Sequence, residues 1–301
     1  MARTNSSLNK GYTIFLIPGI IVFLTMIFLP LAANLVISFT RWQGVGPLVW
    51  TGLANYQKAM NDPNFWASFK NNLSLIIWMT VIPTIIGLVL AAFLFDFISN
   101  KFGQGVASFF RAGFYLPQII PVVVAAIVWK WIFQPDWGVL NWFLKSLGMQ
   151  PHDWLGDSST ALLAIGIVMV WVQIGYPLVI FMAGLQRLDP ELYEAASIDG
   201  AKWLERFCFI TIPLLQPEIY VVVLTTIIAT LKIFGPVFAM TKGGPGDATY
   251  VASYFSYKNF FETSNVGYGS TMSTVLTIIV VLITVGYIRL QLRQQARESL
   301  Q

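Results

Sequence analysis

Acidic side chains crowd one stretch of this 301-residue chain: Asp189, Glu191, Glu194, Asp199 and Glu205. Paired carboxylates serve as general acid and base when their surroundings push their proton affinities apart. Here Lys202 and Arg206 lie among them, in a loop between two long apolar segments, and the reading is ordinary solvated charge. The one histidine, His152, stands beside Asp153 in a polar loop and is read as solvated too. No Ser/His/Asp constellation and no H-E-x-x-H pattern is present, and Gly243-Gly244-Pro245-Gly246 lacks the Lys-Ser/Thr that completes a phosphate cradle. A single cysteine, Cys208, excludes an internal disulfide framework and, with one histidine, a Cys/His metal cluster. Asp96 and Glu218 fall near the ends of apolar segments rather than at mid-depth, which disfavours a proton relay. The residues predict no enzyme and no cofactor bound by this chain.

The elements that carry these residues are oily. Hydrophobic residues make up 56% of the chain and charged ones 11%, against roughly 25% charged in soluble domains. A soluble protein of this composition could not cover its surface, so lipid must be much of the solvent. Eleven Trp and 23 Phe suit interfacial aromatic belts. The net charge of +4 includes no basic patch for nucleic acid. About six stretches reach the roughly 20 apolar residues a spanning helix needs: 12–33, 72–97, 106–132, 160–186, 209–234 and 270–290. The first is longer than a signal-peptide core and lacks a clear cleavage site, so it is read as a retained anchor. Pro117 and Pro121 predict a break near the start of the third.

Positive charge sets the orientation. With the N-terminus inside, Arg3, Lys10, Lys101, Arg111, Arg187, Lys202, Arg206, Arg289, Arg293 and Arg297 fall on short inner segments. Arg41, Lys58, Lys70, Lys145, Lys242 and Lys258 are spread over longer outer loops. The expectation is an all-α integral membrane protein, N-in and C-in, forming one transmembrane domain over residues 1–301.

The loop at 187–208 has its own local logic. Asp189 suits an N-cap and Pro190 a first helical turn. Leu192, Ala195, Ala196 and Ile198 give a small apolar face. Gly200 can take positive φ for a sharp turn, the chain restarts a helix from Lys202 to Phe207, and Pro213 and Pro217 bend the start of the next apolar segment. An amphipathic surface loop and a protein-docking helix both fit that description.

Glu194, Ala195, Ala196, Asp199, Gly200, Ala201, Phe207, Ile210, Pro213 and Pro217, in EAASIDGAKWLERFCFITIPLLQP, form a pattern that resembles the signature loop of binding-protein-dependent ABC importer permeases. MTKGGPGDATYVASYFSYKNFF (240–261), FYLPQIIPVVVAAIVWKWIFQPDWGVLN (114–141) and WVQIGYPLVIFMAGLQRLDPELYEAA (171–196) are similar to segments of the maltose- and glycerol-phosphate-type carbohydrate permeases. The chain lacks the extra N-terminal spans and large outer insert of the maltose subunit and looks like a compact six-span member.

The resemblance implies the ABC importer permease fold in a bacterial or archaeal cytoplasmic membrane. It implies a second, homologous permease subunit, two ATPase subunits that hold ATP and Mg2+, and an extracytoplasmic solute-binding protein that delivers the sugar. The loop would be a coupling helix on the ATPase, with Glu194 paired to an ATPase arginine and Glu194, Ala195, Ala196, Asp199, Gly200 and Ala201 making the contact. Matching positions for the sugar path are Gln118, Val122, Trp171, Gly175, Tyr176, Thr226, Thr230 and Ile233. Independently, Gln118, Gln173, Thr226 and Thr230 are polar within apolar spans, and Trp171 and Tyr176 offer faces for a sugar ring. Helix back-bonding by the threonines and packing by Trp171 explain the same residues. The absence of an unpaired Lys or Arg at mid-span favours a neutral di- or oligosaccharide. The alternatives are an anionic sugar or glycerol-phosphate importer subunit and an ion-coupled secondary transporter acting alone.

Overall fold

The computed structural model describes residues 6–298, so Arg3, one of the inner charges, lies outside the described residues. Four helices are long and apolar enough to cross a membrane: Ile14–Ser38, Pro63–Ser99, Ala161–Leu185 and Val266–Gln291. Two bent pairs make six if each counts as one span: Gln104–Ile119 with Val122–Ile132, at 93°, and Trp203–Leu214 with Gln216–Leu231, at 70°. We number the spans in chain order on that basis. One short antiparallel hairpin, Thr40–Arg41 with Val49–Trp50, is the only sheet among the described residues.

Prolines accompany much of the irregular backbone, though the π-turns at Leu94–Ser99 and Lys258–Glu262 have none. At the 93° break, Ile120 is extended (φ −69°, ψ 131°) directly before Pro121, the conformation that a following proline ring imposes. At the 70° break, Leu215 leaves helical geometry and Pro217 comes in the first turn of the next helix. Wide π-turns at Leu24–Phe28, Ile77–Val81 and Phe207–Thr211 each precede a helix with proline in its first turn: Pro30, Pro83 and Pro213. A proline lacks the N–H that would continue the ladder and its ring crowds the preceding turn, so the helix widens there instead of ending.

The chain divides into two units, Met1–Asp62 with Ser256–Ile278, and Pro63–Phe255 with Ile279–Gln301. In the first unit, the first span is bare: none of its most apolar window is buried, and Phe15 and Met26 are 79% and 73% exposed. A continuous apolar surface of that length requires lipid. Beyond it, polar side chains sew the chain to the start of the sixth span. Asn34 Nδ2 donates to Thr274 Oγ1 (3.1 Å), Thr271 Oγ1 to the Ser38 carbonyl (3.1 Å), and Tyr268 Oη to Asp62 Oδ2 (2.7 Å).

The second unit holds the core. Leu88, Ala91, Ala92 and Leu94 of the second span pack with Leu178, Phe181, Met182 and Leu185 of the fourth and with Phe207, Leu215 and Val222 of the fifth. Glycines let the backbones close in. A Cβ on Gly87 would stand 2.7 Å from Pro177 Cβ, and one on Gly175 would stand 2.6 Å from both the Phe114 carbonyl oxygen and Tyr115 Cα.

In the 133–159 loop, His152 is hydrogen-bonded while its side chain keeps 38% of its surface in solvent. Its Nε2 is 3.0 Å from Thr160 Oγ1 and 3.6 Å from Asp157 Oδ2, and its ring meets Trp154 edge-on. Asn141, buried beneath, takes hydrogen bonds from the His152 amide and Trp154 Nε1 and donates to the Pro135 and His152 carbonyls.

Candidate functional site

The loop at 187–208 is built from its caps outward. Asp189 is extended (φ −69°, ψ 119°) and its carboxylate accepts the Glu191 amide, with Pro190 opening the helix Pro190–Ile198. Gly200 ends it at φ +82°. The Gly200 amide bonds to the Ser197 carbonyl (3.1 Å) and the Ala201 amide to the Ala196 carbonyl (2.9 Å), the paired closure that a glycine in the left-handed region permits. The Lys202 amide then donates to Glu205 Oε2 (2.6 Å), starting the next helix.

This local order gives the helix two different sides. Glu194, Ala195, Asp199 and Gly200 are exposed, and Ile198 is 86% exposed. Ala196 and Ala201 are half-buried, as is Tyr193, whose hydroxyl shares a hydrogen bond with Thr211 Oγ1 (3.0 Å). Burial pushes the Tyr193 phenol up, so it stays protonated. Leu192, Ile198 and Leu204 are each exposed, and Ile198 stands one helical turn from Glu194. Such an arrangement can take an apolar knob and a cation from a protein partner.

The polar positions within the spans separate into those already bonded and those left open. Thr226 is buried and its Oγ1 donates to the Val222 carbonyl (2.7 Å); Thr230 is buried and donates to the Thr226 carbonyl (2.7 Å). Both hydroxyls are engaged by their own helix. Tyr176 Oη lies 3.0 Å from Thr225 Oγ1, on the exposed side of the same helix. Trp171, 37% exposed, meets Trp129 edge-on at 5.6 Å. Gln118, two residues before the extended Ile120, has a buried Oε1 without a partner, and so does Gln173. Val122 opens the second half of the third span beside Gly235, where an added Cβ would lie 3.5 Å from Val122 Cγ1. Ile233 is buried and its carbonyl accepts the Ser253 hydroxyl. Gly175 is buried against third-span backbone and supplies a close approach rather than a side chain. The structure thus brings Tyr176 to Thr225 and Trp171 to Trp129, while Thr226 and Thr230 turn into the packing.

Sequence reasoning passed over several of these groups. Thr225 was hidden by its neighbour Thr226, because nothing in the residue type says which of two adjacent threonines faces outward. Thr80 and Thr84, one helical turn apart on the second span, have buried hydroxyls with no acceptor. Asn71 and Asn72 hold the glycine-rich 240–252 segment. Asn71 Nδ2 donates to the Ala248 and Tyr250 carbonyls, and Asn72 bonds the Thr230 carbonyl and the Ala252 amide. Two adjacent amides in an otherwise apolar span were the available signal. Glu218, flagged for its place at a span end, pairs with Arg187 across the fourth and fifth spans, a structural ion pair.

Among known proteins, the family model for the binding-protein-dependent transport system inner membrane component matches residues 97–298. The chain is 35% identical over 269 residues to the probable ABC transporter permease protein YurN of Bacillus subtilis, covering 88% of this chain and 90% of that one. It is 33% identical over 280 residues to the trehalose/maltose transport system permease protein MalF of Thermococcus litoralis, covering 93% and 92%. A crystal structure of a bacterial ABC transporter involved in the import of the acidic polysaccharide alginate superposes with a TM-score of 0.83 at 20% identity, over 95% of this chain and 97% of that one, and shows the same all-helical fold. The docking-type loop, the bent spans and these matches agree: the chain belongs to the binding-protein-dependent ABC transporter permeases, as a multi-pass, non-catalytic component of the inner membrane.

Proposed function

We propose that this chain is one of two permease subunits through which a neutral di- or oligosaccharide enters the cell. The observation that carries the reading is the exposed face of the helix Pro190–Ile198. There Glu194 and the bare Ile198 side chain stand on a helix capped at both ends. An ATPase subunit docks on that face. ATP and Mg2+ act in the ATPase pair, a homologous permease subunit completes the passage, and an extracytoplasmic binding protein delivers the sugar. The loop and both termini lie in the cytoplasm, and residues 1–301 work as one transmembrane domain of six spans. ATP-driven closure draws the coupling helices together and the spans open outward; hydrolysis resets them.

Trp171 and the Tyr176–Thr225 pair supply the ring faces and hydroxyls a sugar path needs, with Gln173, two residues from Trp171, and Gln118 of the third span holding unmatched acceptors. Thr226, Thr230, Val122, Gly175 and Ile233 shape the wall behind them. The test is reconstitution in vesicles with the co-encoded ATPase, second permease and binding protein. Labelled trehalose or maltose uptake that needs ATP and the binding protein is expected. Uptake by this chain alone, driven by a proton gradient without ATP, would reject the reading.

A further inference from the structure

The proposed coupling loop contains its own weak point. Gly200 sits at φ +82° with open space around it, and the helix Pro190–Ile198 exposes most of its surface. A push on Glu194 or Ile198 would therefore pivot this helix about Gly200 unless something outside the turn holds it. Two side-chain bonds do so, one on each side of the glycine. Before it, Tyr193 bonds Thr211. After it, Trp203 Nε1 donates to Asp96 Oδ2 over 2.8 Å, joining the loop to the last turns of the second span, more than a hundred residues away in sequence.

The second bond is embedded in aromatic packing. The Trp203 ring stacks on Phe207 (centroids 5.2 Å apart, interplanar angle 12°) and leans on Phe97 at 5.9 Å. Phe207 is itself part of the core that binds the second, fourth and fifth spans. A donor on a stiff indole, wedged between two rings and aimed at a carboxylate, transmits displacement well. The Trp203 ring packs against both Phe207 and Phe97, which limits the motion it can absorb.

We propose that Asp96 and Trp203 are positioning residues that latch the coupling loop to the second span, so that loop displacement moves the second and fifth spans together rather than flexing at Gly200. This rests on the ATP-driven reading above. Its consequence is a division of labour. Glu194 and Ile198 receive the push, Gly200 shapes the turn, and Asp96–Trp203 passes the displacement on to a span that the loop does not join covalently.

The test uses the full complex in vesicles and reads ATP hydrolysed per sugar moved. Trp203→Phe keeps the stacked ring and removes the N–H; Asp96→Ala removes the acceptor; Asp96→Asn keeps an acceptor oxygen. Trp203→Phe and Asp96→Ala should each raise the ratio by about fivefold or more, the low end of measured coupling effects. The double variant should do no more than Asp96→Ala alone, because Asp96→Ala already removes the bond that Trp203→Phe breaks. Asp96→Asn should stay within about twofold of the parent, as a neutral acceptor retains part of a charge-assisted bond. A normal ratio in Trp203→Phe with ATP-driven uptake intact overturns the proposal alone, and so do effects that multiply in the double variant. Uptake by the unmodified complex that needs no ATP overturns the functional reading and the proposal with it. Where Asp96→Ala fails to assemble, Trp203→Phe, which preserves the packing, decides.

Discussion

Asn72 donates its amide to the Thr230 carbonyl over 2.8 Å while its own carbonyl accepts the Ala252 amide over 2.9 Å. One fully buried side chain thus ties the second span to the outer end of the fifth and to the segment just past the glycine-rich loop. Replacing it with leucine orphans the buried Ala252 N–H, at a cost of about 1–3 kcal/mol, and leaves the Thr230 carbonyl with the Ile233 amide alone. We expect Asn72→Leu to lower the thermal midpoint of the detergent-solubilised protein markedly. An exposed substitution such as Asn61→Leu should not. Equal midpoints for the two would remove Asn72 from its structural role.

Gly175 and Gly113 make a second, sharper contrast. Both are helical glycines on neighbouring spans. A methyl group at Gly175 would meet the Phe114 carbonyl and the Tyr115 Cα, backbone that cannot rotate away, whereas nothing lies within 4 Å of a Cβ at Gly113. Gly175→Ala should destabilise by about 1–3 kcal/mol through overpacking. Gly113→Ala should be neutral or stabilise by up to about 1 kcal/mol through helix propensity. The comparison is made on the same thermal midpoint, and a Gly175→Ala variant as stable as the parent would mean the two spans separate more easily than their packing indicates.

The same residues separate local signals from distant ones. Apolar runs mark spans because lipid demands them, and Asp189, Pro190 and Gly200 mark the loop helix because capping and positive φ are local properties. Pro121 marked the break for the same reason, although the bend falls at mid-span rather than near its start and Pro117 lies inside an unbroken helix. The contacts that tie the loop to the second span were not legible. Asp96 and Trp203 are far apart in sequence, and neither residue type announces the other. His152 keeps the solvent exposure its polar neighbours suggested, but its partners Thr160 and Asn141 come from eight and eleven positions away. The facing of Thr225 against Thr226 depends on the rotation of the fifth-span helix, which packing sets and composition does not.

Glu194 stands exposed on the helix that the proposed ATPase would touch, with no charged partner within the chain among the described residues. Its role is therefore intermolecular or none. Reversing its charge should leave insertion and folding unaffected, since exposed substitutions stay within about 0.5 kcal/mol. Against a basic partner the same change converts attraction into repulsion costing several kcal/mol. Glu194→Lys should thus reach the membrane in normal amounts yet lose binding-protein-stimulated ATP hydrolysis in the assembled complex. Normal ATP-driven uptake by this variant would count strongly against docking through Glu194.

The sugar path is tested by substitutions that separate facing from packing. Thr225 and Thr226 both donate to carbonyls of their own helix, but Thr226 is buried while Thr225 is exposed and also meets the Tyr176 hydroxyl. If sugar hydroxyls pass this face, Thr225→Val should raise the concentration for half-maximal uptake by about tenfold, the effect of one lost neutral hydrogen bond. Thr226→Val should change stability more than uptake. Trp171→Ala removes the ring that packs edge-on against Trp129 and should cut uptake while leaving the assembled complex intact. Each variant is scored by initial uptake rate against complex recovered after affinity purification. Unchanged uptake in Trp171→Ala would take that ring out of the path. A Thr226→Val defect larger than that of Thr225→Val, at equal stability, would mean the fifth span presents its other face to the sugar during transport, and that the helix rotates between states.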